Sequence, residues 1–471
     1  MIMVFIALLL PAILGFLAIA VLLKKEEHTS LLERLCLAYP LGTGLLTIQM
    51  FLLGLLRVPL TWAYTTLPVM VEILVLSLWV LRNKTPLVPK ISYGLVKDIA
   101  SAKTNWTQKA VLIVLTLWAA VKLASIFIET GTRPIWAWDS WSDWSVGAKL
   151  FYHTKSLLLD TPTQDFFGRG VVTRLTAYPL LNTLMQTWIS IWNGGFDEVL
   201  VKFWTPVFLL SIAGYLYSFA CKELNRLTAM ALLVIFLSSP LMSYHAVEVY
   251  SDLPLGVYLG LASASFLHAM RGRRSYWRIV GLFSAIAMFT KDEALFFIAP
   301  LFLSAAYFLW RNTDDRITKK NTVMQLLSPL LFVAPWYIFK IVHHLGIGAD
   351  STRLIFSFHP EVIVPAIQQM ASLENFNVFL VFFPLFLLAA GKPDRELLHI
   401  LFALACYVLF FIMLYCFTND YYDHFFRGTV FFRNILTYYP LIALLTAVLL
   451  KKQPILEHAS PVKRKHGKRK R

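Results

Sequence analysis

Apolar runs long enough to cross a bilayer recur along this chain, separated by short polar stretches. A transmembrane helix takes roughly 20 apolar residues, within a range of about 17–25. By that measure spans are predicted near 1–23, 36–56, 63–81, 110–128, 203–221, 227–244, 253–270, 275–290, 294–311, 323–343, 377–391, 397–417 and 434–450. That makes about thirteen, and 377–391 is the shortest. Residues 1–23 have no basic stretch ahead of the apolar run; Lys24-Lys25 follows it. The run therefore reads as a span with its N-terminus outside, not as a signal peptide.

Residues 176–192 are apolar enough to be a further span. Charge argues otherwise. With 176–192 left out, most of the 43 lysines and arginines fall in inner loops and in the tail from 451. Counting it as a span would invert the basic run 271–274 and the loops after it. The positive-inside rule disfavours that, so 176–192 is expected to be an interfacial or re-entrant helix on the outer face. The acidic residues lean the other way, towards the outer segments.

Composition narrows the class. Of 471 residues, 58% are hydrophobic and 15% charged, whereas a soluble protein is about one-quarter charged. Four cysteines make no disulfide framework. A net charge of +16 would suggest nucleic acid in a soluble protein. Here the positive-inside rule accounts for it, and no nucleic-acid partner is expected. The fold class is all-α: a polytopic transmembrane bundle with juxtamembrane helices on its outer face. Three parts are expected. Residues 1–109 hold three spans and a basic cytoplasmic loop. Residues 110–450 form a catalytic membrane domain, with a first outer loop at 129–202. Residues 451–471 are a basic cytoplasmic tail beside anionic headgroups.

Candidate chemistry crowds at the outer ends of spans. The run 136–144 holds four tryptophans with Asp139 and Asp143. On an α-helix these two carboxylates would share a face. Trp138 and Trp141 can stack on a sugar while a carboxylate takes a hydroxyl proton. A second cluster, 245–255, carries Glu248 and Asp252; Pro254 suits a helix first turn, where Asp252 could simply cap. A third, 290–293, carries Lys291 and Glu293, charged groups at membrane depth that are functional candidates by default. The loop 418–433 offers His424, Arg427 and Arg433; arginine matches phosphate geometry. Arg169 and Arg174 are weaker phosphate candidates, near Tyr178 at the start of the 176–192 helix. Asp139, Asp143, Glu248 and Asp252 supply oxygens suited to Mg²⁺ or Mn²⁺, so a divalent metal, on Asp139 and Asp252 above all, stays open as a cofactor. There is no Walker-type phosphate loop and no GxSxG elbow.

This order of motifs on one face resembles the GT-C superfamily of polytopic glycosyltransferases, of the protein O-mannosyltransferase and aminoarabinose transferase type. The resemblance rests on Asp139 in WDSWSDW, YPLL at 178–181, YSDLPL at 250–255 and TKDEAL at 290–295. It covers roughly 110–450. It implies an inverting transfer of a sugar from a polyprenyl-phosphate donor to an acceptor hydroxyl on the non-cytoplasmic face. Asp139 would be the base, with Asp143 its rival. Asp252 would be a second acidic group near the acceptor or a metal. Lys291 and a late arginine would hold the donor phosphate. Glycan, lipid and protein all remain open as acceptor. The expected setting is a bacterial cell membrane, with the C-terminus cytoplasmic. Two other readings stand beside it: a polysaccharide polymerase or ligase with a polyprenyl-diphosphate donor, and a lipid-linked sugar flippase. A flippase predicts functional charges at mid-membrane, where Glu72 and Lys122 are the main ones.

Overall fold

A computed structural model describes residues 1–23, 29–87, 105–158, 178–343, 355–371, 373–391, 393–428 and 430–452. The principal helices are α1 (Ile2–Leu22), α2 (Leu31–Leu55), α3 (Trp62–Arg82), α4 (Trp106–Thr132), α5 (Val146–Thr154), α6 (Leu181–Asn193), α7 (Trp204–Glu223), α8 (Arg226–Leu237), α9 (Pro240–Val247) and α10 (Asp252–Met270). They continue with α11 (Tyr276–Met288), α12 (Leu295–Asn312), α13 (Arg316–Leu327), α14 (Ala334–Val342), α15 (Ile363–Ala371), α16 (Phe379–Ala389), α17 (Arg395–Phe417), α18 (Asn419–Phe426) and α19 (Phe431–Leu450). Among the described residues the only β-pairing is one isolated bridge, Phe356 to Thr418. The expected all-α polytopic bundle is what the chain forms.

Every predicted span falls on a helix, but the count of thirteen is not reproduced. Among the described residues nine helices are long and apolar enough to cross a membrane, or up to eleven if two bent pairs each count as one span. The bends are 65° between α8 and α9 and 51° between Arg316–Phe332 and α14. Proline explains both: Pro240 opens α9, while Pro329 and Pro335 interrupt the second pair. A proline has no N–H and clashes with the preceding turn. The predicted spans at 275–290 and 377–391 are helices of only 13 and 11 residues. Helix α6, with 13 residues at about 1.5 Å each, is likewise too short to cross the membrane. It does not lie on the surface: Leu181 to Ile191 are buried throughout.

Local signals place the helix ends. Ser30 caps α2 through the Glu33 N–H at 3.1 Å, and Asn225 caps α8 through the Thr228 N–H at 3.0 Å. Such caps satisfy donors that lack a partner within the helix. Pro11 inside α1 frees the carbonyl of Ala7, its i−4 neighbour. The indole N–H of Trp188 takes that carbonyl at 2.7 Å. The first span is thereby tied to α6, across 181 residues of sequence. Tyr258 donates to the Pro40 carbonyl at 2.8 Å and ties α2 to α10.

Where lipid surrounds the protein, helices associate through close packing, so small residues mark tight contacts. A Cβ on Gly42 would lie 1.7 Å from the Pro11 carbonyl oxygen, and one on Gly15 would lie 1.9 Å from that of Ala38. Gly42→Ala is expected to cost at least about 3 kcal/mol, the upper end of ordinary overpacking. The thermal midpoint of the purified protein in micelles measures it; an unchanged midpoint would contradict this packing. At the centre, every residue of α10 is buried. Helix α19 runs against α10, with the Leu436 carbonyl 3.0 Å from where a Gly256 Cβ would sit. These two buried helices bring Asp252 and Arg433 to the same end of the bundle.

Candidate active site

Asp252 is the first residue of α10, and its side chain is fully buried. Ser251, not Asp252, holds the N-cap position. The Asp252 oxygens do not cap the helix. Lys291 Nζ donates to Oδ1 at 3.0 Å and Arg433 Nε donates to Oδ2 at 3.0 Å. Arg433, in the first turn of α19, also donates through Nη1 to Asp139 Oδ2. One guanidinium therefore bridges two of the carboxylates that the sequence singled out. Lys291 Nζ lies 3.1 Å from Glu293 Oε1. Three carboxylates and two cations thus meet at one end of the bundle. The Arg433 guanidinium lies over the Tyr250 ring, 4.7 Å from its centre. Behind that ring packs His245, whose Nδ1 is 3.8 Å from Asp252 Oδ2.

The first outer motif is helical from Trp138 onward. Ser140–Ser145 is a π-helical turn with i→i+5 bonding. Asp139 and Asp143 differ in burial and in partners. Asp139 is partly exposed and reaches Arg433. Asp143 is buried and accepts from Ser142 Oγ at 3.1 Å. Trp138 and Trp141 are exposed, with their rings 6.0 Å apart. Tyr178 packs on Trp144, ring centres 5.1 Å apart. Burial, with the nearby Glu293 carboxylate, pushes the Tyr178 phenol pKa up. Burial alone would lower the Lys291 ammonium; Asp252 and Glu293 outweigh it and hold that pKa well above its ordinary value.

The Lys291–Glu293 turn is pinned from its other side. Asp292 pairs with Lys340 Nζ at 2.5 Å, and that ammonium lies 5.7 Å from the Trp336 ring centre. Both charged side chains are buried. Removing one member of a buried pair strands the other charge, at about 3–5 kcal/mol. Lys340→Met is therefore expected to lose about that much stability in thermal unfolding, and Lys340→Met/Asp292→Asn is expected to recover part of it. No recovery in the double variant would contradict the pairing.

The other candidates divide. Arg427 is exposed just past α18 and contributes nothing to the cluster, whereas Arg433 is central to it. His424 lies half-buried on α18. Arg169 and Arg174 lie outside the described residues. Glu248 is fully buried and faces Lys202 at 3.8 Å, not open space. The metal reading fits poorly. Asp252 uses both oxygens on cations, and Arg433 stands between it and Asp139. Among the described residues no group of three or more His, Cys, Asp or Glu side chains is placed to hold a metal ion.

Sequence reading passed over Lys202, Lys340 and a buried polar chain on α6. Asn182 donates to the Val249 carbonyl at 2.6 Å and to Ser251 Oγ at 3.0 Å. Gln186 donates to Asn182 Oδ1 at 2.9 Å and accepts from Ser145 Oγ at 2.8 Å. The chain joins the π turn to the turn before Asp252. Its signal was present: Asn182 and Gln186 stand four apart on a helix that carries no charge. Beside the cluster an apolar groove of about 140 Å³ opens between α15, α17 and α19. Ile363, Ile367, Phe411, Tyr415, Phe431 and Tyr438 are among its walls. Phe431 and Asn434 of that lining flank Arg433 in the first turn of α19.

Residues 179–339 match the family model described as dolichyl-phosphate-mannose-protein mannosyltransferase. The matched stretch contains Asp252 and Lys291 but neither Asp139 nor Arg433. Over that stretch the resemblance to polytopic glycosyltransferases read from the sequence is borne out. Two solved structures are similar, both of ArnT from Cupriavidus metallidurans. The one bound to undecaprenyl phosphate is 14% identical with a TM-score of 0.48, over 73% of this chain and 61% of that chain. The apo form is 14% identical with a TM-score of 0.47, over 71% of this chain and 59% of that chain. The chain thus spans about three-fifths of the length of these structures. No curated protein matches it.

Proposed function

We propose that this chain, with the mannosyltransferase family signature over 179–339, is a membrane glycosyltransferase. It moves a sugar from a polyprenyl-phosphate donor to an acceptor hydroxyl on the non-cytoplasmic face. The observation that carries this reading is the placement of Lys291 and Arg433, with Asp139, beside an apolar groove. A lipid-linked phosphate needs both: cations for its head and apolar walls for its tail. Arg433 and Lys291 take the phosphate, and the chain's tail lies along Phe431 and Ile367.

The reaction is a single displacement. The acceptor oxygen forms the new bond to the anomeric carbon as the bond from that carbon to the phosphate oxygen breaks. The acceptor proton passes to Asp139. The electron pair leaves with the phosphate, whose added charge Arg433 and Lys291 stabilise. The leaving group needs no proton from the protein, so one carboxylate suffices, unlike the paired carboxylates of glycosidases. Asp252 touches neither partner; it holds Lys291 and Arg433 in place. Residues 110–450 form the catalytic unit, with its inner loops and the tail in the cytoplasm. A bacterial inner membrane suits this arrangement.

The test uses vesicles containing the purified chain, polyprenyl-phosphate mannose labelled in the sugar, and an extract of host membranes as acceptor source. Label is expected to leave the lipid-phosphate pool and enter a new product only when the chain is present. Label that crosses the bilayer still attached to its lipid would overturn the enzyme reading in favour of a flippase. Transfer from a diphosphate-linked donor alone would favour a polymerase or ligase.

A further inference from the structure

Asp139 lies at the start of a helical stretch that runs into the π turn at Ser140, and it is reached through 133–137, a connection with little regular structure after the end of α4 at Thr132. A base must be held to within a fraction of an ångström of its working position, and loops are poor at this unless anchored. Under this connection lies a charged pair outside the catalytic cluster. Lys202, in the Leu200–Lys202 turn, is buried and donates to the Pro134 carbonyl at 3.3 Å. Its ammonium is 3.8 Å from Glu248, whose side chain is fully buried. The Trp136 and Ala137 N–H groups and the Ser140 hydroxyl face the Glu248 carboxylate without reaching full hydrogen-bond geometry. Burial raises the Glu248 pKa; Lys202 and these three donors oppose the rise. Ile135 and Ala137 are buried on either side of the exposed Trp136, whose ring meets Tyr244 at 5.3 Å.

We propose that Lys202 and Glu248 are positioning residues that anchor 134–140 and thereby set the Asp139 carboxylate against Arg433. Lys202 holds the carbonyl at the start of the segment. Glu248 gathers the donors that follow. Two buried opposite charges each costly to bury alone are in this way turned into a fixed seat for a loop. Glu248 serves the site from beneath and does not contact substrate. The consequence for catalysis rests on the glycosyltransferase reading above; the anchoring does not.

The test has two readouts on the full-length protein in micelles: amide hydrogen exchange over 134–140 and steady-state kinetics with polyprenyl-phosphate mannose. Glu248→Gln and Lys202→Met are the single variants. Lys202→Met/Glu248→Gln removes both charges, for the case that a single variant fails to fold. Exchange at Trp136 and Ala137 is expected to quicken at least about tenfold while α10 and α19 stay protected. Turnover is expected to fall about 10–100-fold, the usual cost of a misplaced catalytic group, with the donor KM within about twofold of wild type. Unchanged exchange at 134–140 overturns the anchor. Quickened exchange with undiminished turnover overturns the positioning role. Quickened exchange in a chain whose wild type transfers no sugar supports the anchor and rejects the enzyme reading instead.

Discussion

Asp139→Asn is expected to lower turnover by about 10²–10⁴-fold, the range supplied by a positioned general base, while the folded protein binds donor at least as tightly as before. The two effects should point in opposite directions for one reason. The Asp139 carboxylate occupies Arg433 Nη1. A donor phosphate must take that contact, and in doing so it releases Asp139 to accept a proton. The asparagine cannot accept the proton, but it competes less for Arg433. Steady-state rates and donor dissociation constants on the same preparation separate these effects. Full turnover in a folded Asp139→Asn protein would remove Asp139 as the base.

Arg433→Met should be the most damaging single change at the site. It breaks a bridge between two carboxylates and leaves the buried Asp252 with Lys291 alone. A loss of about 3–5 kcal/mol in stability is expected for such an uncompensated charge. Donor binding is expected to weaken about 10–100-fold, the worth of a charge-assisted hydrogen bond at roughly 1.5–3 kcal/mol. Arg433→Lys should fall between, since a compact ammonium cannot fork to both carboxylates. Arg427→Ala provides the contrast. That arginine is exposed and outside the cluster, so its change should stay within about 0.5 kcal/mol in stability and leave donor binding intact. The measurements are thermal unfolding and titration with polyprenyl phosphate. Equal effects at 427 and 433 would contradict the assignment.

Much of this was legible in the sequence, because bilayer length and charge placement are strong constraints. The apolar runs gave helices at every predicted position. Charge alone argued that 176–192 does not cross, and α6 is indeed too short to do so. The span count did not follow, because proline bends and short buried helices satisfy the same hydropathy as straight crossings. Asp139, Asp252, Lys291 and Arg433 stood out as charges at span ends, where a bland residue would have cost less. What stayed hidden was pairing. Nothing in the sequence says that Arg433, and not Arg427, returns to Asp252; α10 packing on α19 decides it. Nothing marks Ser140–Ser145 as a π turn, or says that Asp143 is buried while Asp139 reaches Arg433. Lys202 and Lys340 read as ordinary charges near span ends, and only the structure shows them buried against Glu248 and Asp292.

The central claim is that Arg433 and Lys291, beside the apolar groove, hold a polyprenyl phosphate. Native mass spectrometry of the purified chain with added polyprenyl phosphate tests it most directly, comparing wild type, Arg427→Ala and Arg433→Met. One polyprenyl phosphate bound per wild-type and Arg427→Ala chain, and none on Arg433→Met at the same concentration, is the predicted result. Binding of phospholipid alone to all three, or equal uptake of polyprenyl phosphate by Arg433→Met, would contradict the donor site.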